Sequence, residues 1–329
     1  MGVGNAPEGS VAGCEAFGAE RKSGARPFIR YGEVLNMNNN IVIMNFSRVY
    51  EVQGLKTSLE QKTAEKVAEA GVGNASAKPV ISQLDCQDIP GTNCYCDSLA
   101  EEEIEKRIAP FGPEGLHFLD SGNYHYLTKL WLELVKEPFE LLVFDHHTDM
   151  QRPAFGGILS CGGWIREALE TNENLKHVIL VGPPETAMEE TKRELLEDGE
   201  ELIRKVTWIS EEEFLQNVEK PDGIKKLCGQ CKENDLGADE KDPLPLYISI
   251  DKDILSESEG KTNWDQGNVA SNQVLHFIDA YMQQTPDKTL IGVDVCGEDP
   301  EADSEEVQAV CRKTSEKICS FVMTLFKAD

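Results

Sequence analysis

Eight apolar, largely β-branched runs punctuate the chain, at 41–46, 79–84, 115–119, 141–144, 177–181, 205–209, 246–250 and 289–295. Continuous runs of this length suit strands buried on both faces, the environment of a parallel sheet. Between them lie stretches whose apolar residues recur at helical spacing: 57–69, 99–108, 124–135, 161–170, 184–198, 211–219 and 268–282, with a last one at 304–327. Parallel neighbours need a crossover, and right-handed crossovers set helices on both sheet faces. The pattern therefore predicts an α/β protein, a three-layer αβα domain around an eight-stranded, mostly parallel sheet. Local signals agree: Ser210 precedes Glu211-Glu212-Glu213, a cap hydroxyl followed by acids where the helix dipole favours them, and Pro184 suits a first helical position.

Three segments fall outside the alternation. Residues 1–36 are rich in Gly, Ala and Ser and read as a flexible N-terminal tail, leaving 37–329 as a single domain. Residues 221–244 read as a polar surface insertion carrying Cys228 and Cys231, and 254–268 as a loop. The Cys228/Cys231 spacing suits zinc, but a structural zinc needs four ligands and no second pair lies near, so both are expected to be spare thiols. The ten cysteines are too dilute for a disulfide scaffold.

Charge narrows the partners. With 32 Lys and Arg against 59 Asp and Glu, the net charge of −27 repels nucleic-acid phosphates and anionic lipid heads. No apolar run reaches the ~18–20 residues of a membrane span, and the first residues show neither a basic leader nor an apolar stretch of signal length. The expectation is a cytoplasmic protein whose partner is a small-molecule substrate, with no nucleic acid and no membrane, and with homo-oligomerisation left open.

The chemistry-bearing residues gather where a doubly wound sheet collects its ligands, beyond the carboxyl ends of strands. The run 141–144 is followed by Asp145-His146-His147-Thr148-Asp149. In extended chain Asp145, His147 and Asp149 share one side, while His146 and Thr148 point away. The run 246–250 ends in Asp251-Lys252-Asp253, again two carboxylates on one side, and 115–119 leads to His125 at the start of the next helix. Alone, an Asp-x-Asp is an ordinary solvated loop and a helix-start histidine an ordinary packing residue. Together, four carboxylates and two imidazoles on one sheet edge predict a metal site, since such carboxylates repel unless a cation lies between them. Oxygen and imidazole donors without a thiolate favour Mn(II) or Mg(II) over structural zinc.

The order His125, Asp145-x-His147-x-Asp149, Ser249-x-Asp251-x-Asp253 resembles the ureohydrolase family of arginases, agmatinases and formimidoylglutamases, whose motifs are a His after Gly-Gly-Asp, Asp-Ala-His-x-Asp and Ser-x-Asp-x-Asp. The resemblance runs in element order over about residues 40–327. It implies two Mn(II) ions per chain, one held by His125, Asp145, Asp149 and Asp251, the other by Asp145, His147, Asp251 and Asp253, with Asp145 and Asp251 bridging. It further implies hydrolysis of a linear C–N bond in a guanidino, amidino or formimino compound by a metal-bridging hydroxide. Hydrolysis of a small amide, a deacetylase-like activity and a non-catalytic regulator that keeps the fold are the alternatives.

Departures from the family pattern bear on the substrate. His146 stands where the family usually has Ala, and Ser121-Gly122-Asn123-Tyr124 replaces the usual approach to the first ligand. The family's Asp-x-x-Glu-x-Asn-Pro, whose Glu grips the guanidinium, is here Asp294-Val295-Cys296-Gly297-Glu298-Asp299-Pro300, with the Glu one residue late. The segment Leu159-Ser160-Cys161-Gly162-Gly163-Trp164 lacks the loop His of arginases, so arginine is not the expected substrate. The expected catalytic residues are Asp149, His146 and Glu298. Glu298, Trp264, Asp265 and Ser160 are expected to bind the substrate, Glu298 orienting a cation and Trp264 forming a planar wall.

Overall fold

In the structure, a computed structural model that describes residues 40–70, 79–153, 156–199, 201–233 and 243–326, all eight apolar runs are strands of one sheet. The tail expected at 1–36 lies outside the described residues. The chain order is β1 (Ile41–Asn45), α1 (Val49–Gln53), α2 (Leu55–Ala70), β2 (Ile81–Asp85), β3 (Tyr95–Cys96), α3 (Ser98–Ile108), β4 (Gly115–Phe118), α4 (Leu127–Leu132), β5 (Phe139–Phe144), β6 (Leu159–Ser160), α5 (Trp164–Thr171) and β7 (Leu175–Val181). It continues with α6 (Glu185–Asp198), α7 (Glu201–Arg204), β8 (Val206–Ile209), α8 (Glu211–Asn217), α9 (Pro221–Glu233), β9 (Leu246–Asp251), α10 (Ser271–Gln284), β10 (Leu290–Cys296) and α11 (Glu305–Leu325). The sheet order is β2-β1-β4-β10-β9-β5-β7-β8, every neighbouring pair parallel, while β3 and β6 form a separate antiparallel pair.

Continuous apolar runs are explained by two cores. On one face Leu142, Phe144, Ile248, Ile250 and Val293 pack against α1, α2 and α8 to α11, with Phe277 edge-on to Phe144. On the other, Leu141, Val143, Val178 and Leu180 pack with Trp131 and Trp164 from α4 and α5. Alternate residues of the central strands thus serve opposite cores, which calls for apolar residues on both faces along most of their length. Ser210 caps α8 as expected, its hydroxyl accepting from the Glu213 N–H at 3.1 Å. No helix among the described residues is long and apolar enough to cross a membrane.

One expectation is corrected. Residues 221–233 are the helix α9, not a surface insertion, and Ile224, Leu227, Cys228 and Cys231 are buried in the first core. Their spacing is that of one helix face, with two thiols acting as small hydrophobes. Residues 234–242 of that segment lie outside the described residues.

The sheet order makes β4, β10, β9 and β5 consecutive neighbours. Their registers pair Phe118 with Val295, Cys296 with Asp251, and Phe144 with Ile250, which brings their carboxyl ends to one level. The segments carrying His125, Asp145 to Asp149, Asp251 to Asp253 and Cys296 to Glu298 leave the sheet side by side.

Candidate metal centre

Three of these strand ends deliver the donors. After β4 a 3₁₀ turn at Gly122–Tyr124 sets His125, whose N–H bonds the Gly122 carbonyl at 3.1 Å. Its imidazole is buried, with Nδ1 3.1 Å from Asp145 Oδ2, 3.0 Å from Asp149 Oδ2 and 3.4 Å from Asp251 Oδ2. Its other nitrogen, Nε2, lies 3.0 Å from Ser249 Oγ, which donates its own proton to Asp294 Oδ1 at 2.5 Å. With that hydroxyl proton committed to Asp294, Ser249 accepts from His125 Nε2–H, and the Nδ1 lone pair is left aimed at the carboxylates.

The remaining donors close around the same point. Asp145 Oδ1 accepts from the His147 N–H at 2.6 Å, Asp251 Oδ1 from the Asp253 N–H at 2.9 Å, and Asp253 Oδ1 from the His146 N–H at 3.0 Å. His147 Nδ1 lies 2.8 Å from Asp253 Oδ2 and 3.5 Å from Asp145 Oδ1. Asp149 is fixed by Trp164, whose Nε1–H donates to its Oδ2 at 2.7 Å. Among the described residues three groups emerge, His125 with Asp145 and Asp149, His147 with Asp145 and Asp253, and His125 with Asp251 and Cys296; in each the donor atoms lie within 4.8 Å of one another. Asp145 is common to the first two, and Asp251 approaches His125 from the neighbouring strand.

The electrostatics are those of a site that requires positive charge. Burial, together with Asp145, pushes the Asp149 carboxyl up to about 7. Burial, then Asp251 and Asp145, holds Asp253 well above the usual carboxylate range. Burial opposes the charged forms of both imidazoles, yet Cys296, Asp145 and Asp149 raise His125 well above its ordinary value, and Asp145 and Asp253 raise His147 to about 12. Asp145 moves the other way: burial opposes its charge, but His125 and His147 hold it below the usual range. His125 Nδ1 and Asp145 Oδ2 are buried and neither makes a hydrogen bond. With Nε2 held by Ser249, His125 Nδ1 faces these carboxylate oxygens either protonated, the form their charge favours, or as a donor to a cation lying between them, so the donor set fits divalent metal.

A cleft of about 510 Å³ opens above these donors, and Ser160, Trp264 and Asp265 line it with His146 and His147. Trp264 is 40% exposed; its Nε1–H donates to Asn123 Oδ1 at 2.9 Å, and its ring stands edge-on to His147 at 5.7 Å. His146 does not join the donors: its Nδ1 faces Glu211 Oε2 at 3.4 Å on the cleft wall.

Glu298 does not reach the cleft. It is fully buried, where its Oε1 accepts from Lys252 Nζ and, at 3.0 Å, from Ser315 Oγ, while Oε2 accepts from Gln53 Nε2 at 2.8 Å. Both carboxylate oxygens are engaged inside the core, which corrects the expected cation-orienting role. Gly297 cannot replace it: its φ is +94°, and a Cβ there would collide with Asp251 Oδ1. Sequence reasoning also missed Cys296, whose Sγ donates to Asp251 Oδ2 at 3.1 Å. Its signal was period two on β10, which puts residue 296 on the same side as Asp294.

Comparison with solved structures decides the architecture. The chain superimposes on proclavaminate amidino hydrolase from Streptomyces clavuligerus with a TM-score of 0.59 and 14% identity, covering 88% of this chain and 92% of that one. The chain has the arginase fold. Formimidoylglutamase from Bacillus subtilis gives 0.57 and 16% over 88% and 87% of the two chains, and Helicobacter pylori arginase 0.51 and 12% over 86% and 99%. At such identities the likeness is one of fold. No protein-family model matches the chain. A Thermotoga maritima protein described as uncharacterized is 33% identical over 184 residues; the match spans 56% of this arginase-fold chain and 58% of that protein.

Proposed function

We propose that this arginase-fold chain is a metal-dependent hydrolase of a linear C–N bond in a small amidino, guanidino or formimino compound, with two divalent ions, manganese foremost, at the strand-end cluster. The observation that carries the reading is the pair of buried, hydrogen-bond-free atoms His125 Nδ1 and Asp145 Oδ2, with Asp149 and Asp251 oxygens also within 3.4 Å of that nitrogen. His125, Asp145, Asp149 and Asp251 hold one ion, and Asp145, His147, Asp251 and Asp253 the other. The chemistry such ions supply is Lewis acidity and activation of water at neutral pH. No side-chain nucleophile is required. Asp294 and Ser249 fix the His125 tautomer, and Trp164 fixes Asp149.

The cleft selects by charge. Among the described residues that line it there is no Lys or Arg, whereas Asp265 and four ligand carboxylates are present. A substrate carboxylate finds no Lys or Arg there, and with the four ligand carboxylates offset by the two ions, Asp265 is left to orient a planar cation against the Trp264 ring as a wall. Asp265 thus takes the role expected of Glu298, and Ser160 offers a hydroxyl on the cleft wall. Withdrawal of Glu298 into the core also keeps a neutral amide open as substrate.

The test is metal stoichiometry together with release of ammonia, urea or formamide from a panel of guanidines, amidines, formimino compounds and amides. Two ions per chain, a melting temperature that falls on chelation, and turnover of carboxylate-free members of the panel, cations foremost, are expected. Two ions without turnover on any member would leave the non-catalytic reading; no bound ion would sink both.

A further inference from the structure

We propose that Cys296 is a further metal ligand, a sulfur donor that the six-residue set does not include. The inference rests on the proposed metal centre and concerns its composition.

Cys296 is the last residue of β10, fully buried, and its register partner on β9 is Asp251. Its Sγ is 3.1 Å from Asp251 Oδ2, and Sγ, a carboxylate oxygen of Asp251 and a ring nitrogen of His125 all lie within 4.8 Å of one another. A buried cysteine is ordinarily a small hydrophobe surrounded by carbon. This one instead faces two donors of the centre. The independent observation is His125 Nδ1: buried, without a hydrogen bond, and with its lone pair directed into the same space because Ser249 holds the opposite nitrogen. The turn that follows supports the approach, since only glycine fits at 297, where a Cβ would meet Asp251 Oδ1.

When an ion enters, the S–H bond breaks, its proton leaves to the buffer, and the sulfur electron pair forms the bond to the metal. Serine at this position keeps its proton, so wild type releases one proton more per chain than Cys296→Ser. A thiolate also changes preference: a soft donor beside imidazole and carboxylate favours Zn(II), Co(II) or Fe(II) over Mn(II), relative to oxygen and nitrogen alone. The manganese preference read from a thiolate-free donor set is thereby shifted toward softer ions.

The test is titration of the metal-free full chain with Co(II). Wild type should develop an intense near-ultraviolet thiolate-to-cobalt charge-transfer band. Cys296→Ser and Cys296→Ala should lose that band, while a Cys94→Ser/Cys161→Ser control, altered on the cleft wall, keeps it. Co(II) affinity should fall about tenfold or more in Cys296→Ser, the order of effect seen when a metal-site partner is removed, and Mn(II) affinity should fall less. Co(II) bound by wild type without the band, or a band that survives in Cys296→Ser, overturns the inference and leaves the metal centre standing. Should both variants fail to fold, the wild-type band decides, read together with its survival in the Cys94→Ser/Cys161→Ser control. No Co(II) binding by wild type overturns the inference and the metal centre together.

Discussion

Replacing Glu298 with Gln should destabilise the fold before it touches catalysis. Lys252 is 1% exposed, and besides Glu298 its Nζ meets, among the described residues, only Ser315 Oγ at 3.2 Å and the Cys311 carbonyl at 3.4 Å. Neutralising Glu298 leaves an ammonium in the core with neutral acceptors alone. Hydrogen bonding can be repaired: Gln53 Oε1 is buried without a partner, so a flip of the Gln53 amide presents an acceptor to the N–H₂ that the substitution introduces. The lost charge cannot be repaired, and stripping one partner from a buried ion pair costs about 3–5 kcal/mol. In urea unfolding of the metal-free chain, with m of about 3 kcal/mol/M, the midpoint should drop by about 1 M or more. Adding Lys252→Met should recover most of that loss, because it removes the unpaired ammonium that the first substitution leaves in the core. A shift below about 1 kcal/mol, combined with a selective fall in turnover on cationic substrates, would refute this reasoning and return Glu298 to the substrate.

Acid sensitivity should depend on His117, which stacks on Trp131 at 3.7 Å and contacts the Tyr247 hydroxyl through Nδ1 at 3.0 Å, and whose pKa burial lowers from 6.5 to about 3. The unfolded chain binds the proton first, so this contribution is present above 6.5 and is lost as pH falls toward 3, about 2 kcal/mol of it by pH 5; the pH profile of His117→Phe, measured by urea unfolding, should be shallower. Asp265→Asn should raise KM for a cationic substrate severalfold with metal content unchanged, and an unaltered KM would remove Asp265 from the cleft's chemistry. Cys228→Ser/Cys231→Ser should lower stability by about 1–3 kcal/mol through a hydroxyl placed in the core, without loss of metal; a silent pair would argue against the burial of α9.

Strand positions were legible because they rest on a local pattern, and the metal donors because they follow strand ends. Two-sided burial makes β5 and β9 continuous apolar runs that end at the donors, but the extended chain expected over 145–149 is not what gathers Asp145, His147 and Asp149: β5 stops at Phe144 and the segment bends, with Asp149 at φ +48°. The convergence of His125 with these residues needed the order of strands, which only tertiary packing sets. Helix α9 was missed since Cys228 and Cys231 were weighed as thiols; counted as hydrophobes they complete the stripe Ile224, Leu227, Cys228, Cys231. Cys296 was illegible for a related reason: whether a buried cysteine meets carbon or a carboxylate depends on the neighbouring strand, here Asp251 in register beside it.

The direction of Glu298 follows from a residue on another strand. β9 ends at Asp251, whose carboxylate caps a 3₁₀ turn at Lys252–Ile254; the turn brings Asp253 to the donors and sends the Lys252 side chain into the packing between β9, β10 and α11. An ammonium there is tolerable only with a carboxylate beside it, and the chain leaving β10 supplies Glu298. The same turn must pass close over Asp251, which admits only glycine at 297 and excludes a longer side chain from the place where the resembled family carries its Glu. Lysine at 252, glycine at 297 and glutamate at 298 are therefore one arrangement. Its chemical consequence is a cleft whose remaining non-ligand carboxylate among the described lining residues is Asp265, contributed by the loop after β9. Selectivity for a cation, where this chain has it, resides in that loop and no longer in β10.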